Sequence, residues 1–207
     1  PWLRQARSEA QARRDVGRLF ERGRLDREAQ RTLEKLERMQ YPGGLWPWFP
    51  GGPPNEYITL YITTGFGRLR HLGVQVTADA AVRSLGALDA WAEREYRAIL
   101  RDGTASANHL SPTIAMYLYG RSFFIGERPL AAEHRAMLEF WLAQARAHWP
   151  QTADRQTRGH LALALARVGD PATAKAILRS VKEHSVTNEE LGMFWRDTEQ
   201  SWWWYRA

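Results

Sequence analysis

The chain of 207 residues is 44% hydrophobic and 25% charged, the balance of a folded globular protein with one sizeable core and not of a disordered one. It has no cysteine, which excludes disulfides and thiolate chemistry in this segment, and no window near eighteen consecutive apolar residues, which excludes a membrane-spanning helix here. A formal charge of +6 and a pI near 10.0 suggest a nucleic-acid partner, but the basic residues are dispersed and form no phosphate-tracking stripe.

In chain order, "PWLRQARSEAQARRD" opens without methionine, a basic start or an apolar run, so it carries no signal peptide and reads as a segment of something larger. Its Arg4, Arg7, Arg13, Arg14 and Arg18 alternate with Glu9, Asp15 and Glu21, as on a solvated helix. Apolar spacing predicts a first helix from about Trp2 to Arg22, broken at Gly23 and Leu25-Asp26. Asp26 then caps a second helix to Gln40, with Ala29, Leu33, Leu36 and Gln40 on one face.

An aromatic loop, "MQYPGGLWPWFPGG", follows from Met39 to Gly52. Asn55 caps a third helix with a stripe of Ile58, Ile62, Gly65, Leu69 and Leu72, ending at Gly73. Thr77 caps a fourth that turns Val82, Leu85, Ala92, Tyr96 and Ile99 inward and stops near Gly103. Ser111-Pro112 and Asp170-Pro171 are cap-plus-proline signatures. They start helices ending near Phe124 and His184, with two more between, about Leu130 to His148 and Thr152 to Val168. The tail "VTNEELGMFWRDTEQSWWWYRA" lacks a helical period and predicts a short β-hairpin or an extended segment.

Two stretches, "GRLRHLGVQVTADAAVRSLGAL" and "LALARVGDPATAKAILRSVKEH", repeat a helix end, a glycine turn, a cap and a small-residue helix start. Repeated antiparallel helix pairs make an open solenoid or a closed α/α toroid. The class is all-α.

Chemistry-bearing motifs are few. There is no metal-binding His-Glu-x-x-His and no glycine-rich phosphate loop. His134, His148, His160 and His184 each stand alone on helices. The carboxylate pairs Glu93 with Glu95 and Glu189 with Glu190 suggest a glycosidase, but near-adjacent carboxylates on a helix point in different directions. In the aromatic loop Gln40 ends a helix, Gly43 and Gly44 permit a turn, and Trp46 offers a ring and an indole N–H, the parts of a structural joint. Trp48 and Phe49 are expected to pack over it. Trp202, Trp203 and Trp204 are expected to form a contact surface.

The stretch "LERMQYPGGLWPWFPGGPPNEYITLYITTGFGRLRHLG" resembles the thioester-domain region of bacterial alpha-2-macroglobulin-like proteins, the large secreted form of Bacteroidetes-type genomes. Similar elements follow in order at "YLYGRSFF", "ARVGDPATAKAILRSVKEHS" and "LGMFWRD…WWWY", covering essentially the whole chain. The resemblance implies that residues 1–207 are a single helical domain, a partial ring from an α/α toroid within a larger extracytoplasmic protein. It implies a non-enzymatic role in protease inhibition, without cofactor or metal. Its partners would be target proteases and other modules of the parent chain, not nucleic acid or a membrane. With no cysteine, this segment bears no thioester itself. His109 falls roughly where thioester proteins have an assisting imidazole, against which stands an ordinary loop histidine. Two alternatives remain from the residues alone: a glycoside hydrolase or lyase on an α/α barrel using Trp46, Trp48 and a carboxylate, and a solenoid interaction module.

Overall fold

A computed structural model describes residues 22–152, 154–190 and 192–195, with side chains from Arg27 onward. Among these residues the chain is mostly helical, with seven α-helices and two small antiparallel sheets. Helix α1 (Arg22–Met39) is followed by the aromatic loop, which holds the two-residue strand β1 (Trp46–Pro47), paired with β2 (Pro54–Asn55) just after the loop. Helices α2 (Glu56–His71), α3 (Asp79–Arg101) and α4 (Pro112–Ser122) come next. A 3-10 turn at Ala132–His134 leads into α5 (Arg135–His148), and α6 (Arg155–Arg167) and α7 (Pro171–Glu183) follow. Strands β3 (Val186–Asn188) and β4 (Gly192–Phe194) form a hairpin, the extended structure expected after the last helix.

Local chemistry explains these boundaries. The side chains of Asn55, Ser111, Asp154 and Asp170 accept backbone N–H groups at the starts of α2, α4, α6 and α7. Helix α2 ends in a Schellman turn: Gly73, at φ +81°, donates to the Arg70 carbonyl, and Val74 to that of Leu69. The same pattern closes α3 at Gly103 and α6 at Gly169.

Three expectations differ from the structure. The break at Gly23 and Asp26 is absent, because α1 runs through both. A glycine inside a helix costs only about 1 kcal/mol relative to alanine, too little to end one by itself. Thr77 does not cap α3, whose N-cap is Ala78 with no side-chain bond. The stripe on α2 is also displaced: Thr59, Leu60, Thr63, Thr64, Phe66 and Gly67 are buried, while Leu69 and Leu72 face solvent. Thr59 and Thr63 donate their hydroxyls to carbonyls four residues back, which satisfies these two buried hydroxyls, whereas the buried Thr64 hydroxyl has no partner among the described residues.

Helix α4 is the centre of the packing. It lies against α2 on one side and α6 on the other; α3 packs on α2, α5 on α3 and α4, and α7 on α6. Every residue from Ile114 to Ser122 is buried, which is why this short helix has little amphipathic pattern. The main core joins Leu60, Leu88, Tyr117, Trp141, Leu165 and Ile177. A second cluster gathers Phe66, Ala81, Leu85 and Phe124. Helices approach closely at two glycines: a Cβ on Gly67 would lie 2.5 Å from the Phe123 ring, and one on Gly120 would collide with the Thr64 hydroxyl.

Candidate functional site

The aromatic loop turns on Gln40. Its Nε2 donates to the carbonyls of Gly44 (2.9 Å) and Ala80 (2.7 Å), and its Oε1 accepts from Arg83 Nε (3.1 Å). One amide thus ties the end of α1, the loop and the first turn of α3, with both donors and an acceptor engaged. Arg83 reaches on to Glu37 at 3.0 Å. Gly44 sits at φ +85°, and a Cβ there would lie 2.5 Å from the Arg83 carbonyl oxygen, so this position requires glycine twice over. Gly43 has open space around its Cα and makes no such demand.

Trp46 is completely buried. Its indole N–H donates to Leu36 O at 2.7 Å, satisfying a carbonyl in the last turn of α1. Its backbone N–H donates to Thr59 Oγ1 at 2.8 Å, and Thr63 and Ser84 hydroxyls meet at 2.7 Å beyond, joining α2 to α3. Tyr41 closes the loop from the other side, its hydroxyl donating to Gly52 O at 2.6 Å. A buried ring with its one donor satisfied presents nothing to a ligand.

Two residues on, the environment reverses. Trp48 is 59% exposed and Phe49 57%, so neither packs over the joint as expected. The Trp48 ring stacks on Tyr57, centroids 6.2 Å apart, and Phe49 folds back toward Gly52. Tyr57 is itself exposed on α2, so the stack leaves the Trp48 ring facing solvent.

His109 lies in the α3–α4 connection with its Nε2 on the Thr104 carbonyl at 2.7 Å, which makes that nitrogen the protonated one. Its backbone N–H donates to Gln144 Oε1 at 2.8 Å, and Gln144 Nε2 donates to the Ala107 carbonyl at 3.0 Å. The imidazole therefore helps lock its own loop. The buried Gln144, one helix away, organises that loop and carries no local sequence signal.

The carboxylates flagged in the sequence do not face each other. Glu93 is buried, with Arg97 Nε at 2.7 Å and His134 Nδ1 at 3.3 Å, whereas Glu95, Glu189 and Glu190 are exposed. Burial pushes the Glu93 pKa up, but the bonds from Arg97 and His134 and their charges outweigh it and hold the group below its ordinary value. Asp89, one turn earlier, accepts from Arg121 Nε at 3.0 Å and from the Tyr117 hydroxyl at 2.8 Å. Burial, reinforced by the Asp89 charge, raises the Tyr117 pKa well above its usual range, so the phenol remains a donor. All three groups are closed to solvent, which makes this a core network and not a reactive one.

Among the described residues no group of three His, Cys, Asp or Glu side chains could hold a metal ion, and no helix is long and apolar enough to cross a membrane. Trp202, Trp203 and Trp204 lie outside the described residues. No protein-family model matches the sequence, and no curated protein matches it.

Proposed function

We propose that this chain is a non-enzymatic helical domain of the alpha-2-macroglobulin-like kind, part of an α/α toroid in a larger extracytoplasmic protein that restrains proteases. The observation that carries this reading is the joint. Gln40, Gly44 and Trp46 belong to the stretch that resembles the family's loop, and each is committed to bonds or close contacts that hold α1 against α2 and α3. A loop built this way supports a scaffold and leaves its inner residues no freedom for chemistry.

The serial contact of α2, α4 and α6, with α3 and α7 each laid on one of them, supports the toroid: such a ring alternates inner and outer helices. His109 acts here as a loop residue, and an assisting role would have to be played by its other nitrogen. The test is to add the intact parent protein to proteases of several classes and follow cleavage of a protein substrate. The reading expects at least one protease to lose that activity as its own cleavage of the parent proceeds. Proteases that cut the parent yet keep full activity would overturn it.

A further inference from the structure

A cavity of about 340 Å³ lies where the C-terminal ends of α2, α4 and α6 meet. Its charged and polar lining comes from Arg70, His71, Ser122 and Arg167, and its apolar lining from the accessible part of Phe123, with Phe124 fully buried beneath. This volume falls in the lower part of the range of small-molecule sites, about 300–1,000 Å³.

Arginines in last turns ordinarily offset the negative end of the helix dipole. Here that role is largely discharged by other groups. The terminal carbonyls of α2 and α6 already accept from the backbone N–H groups of Gly73, Val74, Gly169 and Asp170. Among the described residues neither guanidinium bonds a helix-end carbonyl. Arg167 lies flat on Phe123, 3.8 Å from the ring centroid, with Tyr119 at 5.3 Å, and donates from Nη1 to Ser122 Oγ at 3.0 Å. Among the described residues no carboxylate pairs with it. Arg70 has one acidic partner, Glu127 at 2.6 Å, and that pair is half-exposed. The two arginines that line the cavity thus meet one carboxylate, Glu127, among the described residues.

We propose that this cavity binds a small organic oxyanion, a carboxylate or a phosphate monoester, through Arg167 and Arg70, with its apolar body against the accessible edge of Phe123. Stacking on Phe123 and the bond to Ser122 fix the plane of the Arg167 guanidinium, leaving its remaining N–H edge pre-oriented for the planar or tetrahedral oxygens of such a group. Glu127 holds Arg70 in place of the ligand. The site owes nothing to the family reading above: either can fail without the other.

The probes are phenyl phosphate, benzoate and inorganic phosphate, titrated into the whole chain by calorimetry, with benzyl alcohol as the neutral control. Saturable 1:1 binding of phenyl phosphate or benzoate, with none of benzyl alcohol, is expected. Tighter binding of phenyl phosphate or of benzoate identifies which oxyanion is preferred, and inorganic phosphate binding as well as phenyl phosphate would overturn the role of Phe123. Arg167→Gln and Arg70→Gln should each weaken binding about tenfold or more, the loss expected for a charge-assisted hydrogen bond. Glu127→Gln should tighten it, because it frees Arg70; a purely structural pair would give no such gain. Absence of saturable binding by all three anions, or binding unchanged in both arginine variants, overturns the proposal. Should Arg167→Gln lose its far-UV dichroism, Arg70→Gln and Glu127→Gln decide the matter, since both positions are half-exposed.

Discussion

The joint at Gln40 and the cavity at Arg167 both bring polar side chains up against aromatic rings, and they use them in opposite ways. At the joint, the donors of Gln40 and Trp46 and one acceptor of Gln40 meet groups of the chain itself, and the ring is shut away from water. At the cavity, Arg167 meets two ring faces and one hydroxyl, while the positive charge on Arg167 has no acidic partner among the described residues. The contrast teaches that aromatic density alone does not mark a site. What marks one is polar capacity that the fold leaves over.

The comparison can be broken by substitution. Trp46→Ala should have the largest effect, lowering stability by about 3–5 kcal/mol in urea denaturation, because it empties a fully buried site and leaves the Leu36 carbonyl unpaired. Gly44→Ala should cost about 2–3 kcal/mol, since the new methyl meets the Arg83 carbonyl at a positive φ.

A smaller effect is expected from pH on the cavity side. Burial holds the His160 pKa below its ordinary 6.5, with Arg68 adding to and Asp154 opposing the shift. The unfolded chain therefore takes up this proton first. Stability is complete above about pH 6.5 and falls as acid carries the solution down through the lowered folded value. Replacement by Gln should flatten that part of the profile. Glu93 and Asp170, both held below their ordinary 4.5 and 3.8, add a further loss only below those values. Trp48→Ala should be smallest, within about 0.5 kcal/mol, as expected of an exposed ring. A cost comparable to that of Trp46→Ala would erase the distinction between the two halves of the loop.

Much of this was legible in the residues. Asn55, Ser111 and Asp170 announce helix starts because a short polar side chain at that point has one available job, accepting an orphan N–H. Gln40, Gly44 and Trp46 could be read as a joint because they stand at a helix end with turn glycines. The opposite fates of Trp46 and Trp48 could not, since two tryptophans two residues apart in one loop carry no local signal of which one the tertiary packing buries. The buried face of α2 escapes apolar periodicity because Thr59 and Thr63 satisfy their hydroxyls on their own helix and so can be buried like apolar residues. The cavity was invisible for a different reason. Arg70 and Arg167 stand in last turns of helices far apart in sequence, where a basic residue has an ordinary explanation, and only the packing of α2 and α6 on either side of α4 brings those helix ends to one cavity.

The most direct test sets one polar residue from each region side by side: urea denaturation midpoints of Gln40→Ala and Arg70→Gln. Gln40→Ala should lose about 1–3 kcal/mol, because the Ala80 and Gly44 carbonyls and Arg83 all lose a partner. Arg70→Gln should lose less than about 1 kcal/mol, the worth of an exposed ion pair. Equal losses in the two variants, or a larger one in Arg70→Gln, would contradict the division between a joint committed to the fold and a cavity open to a ligand.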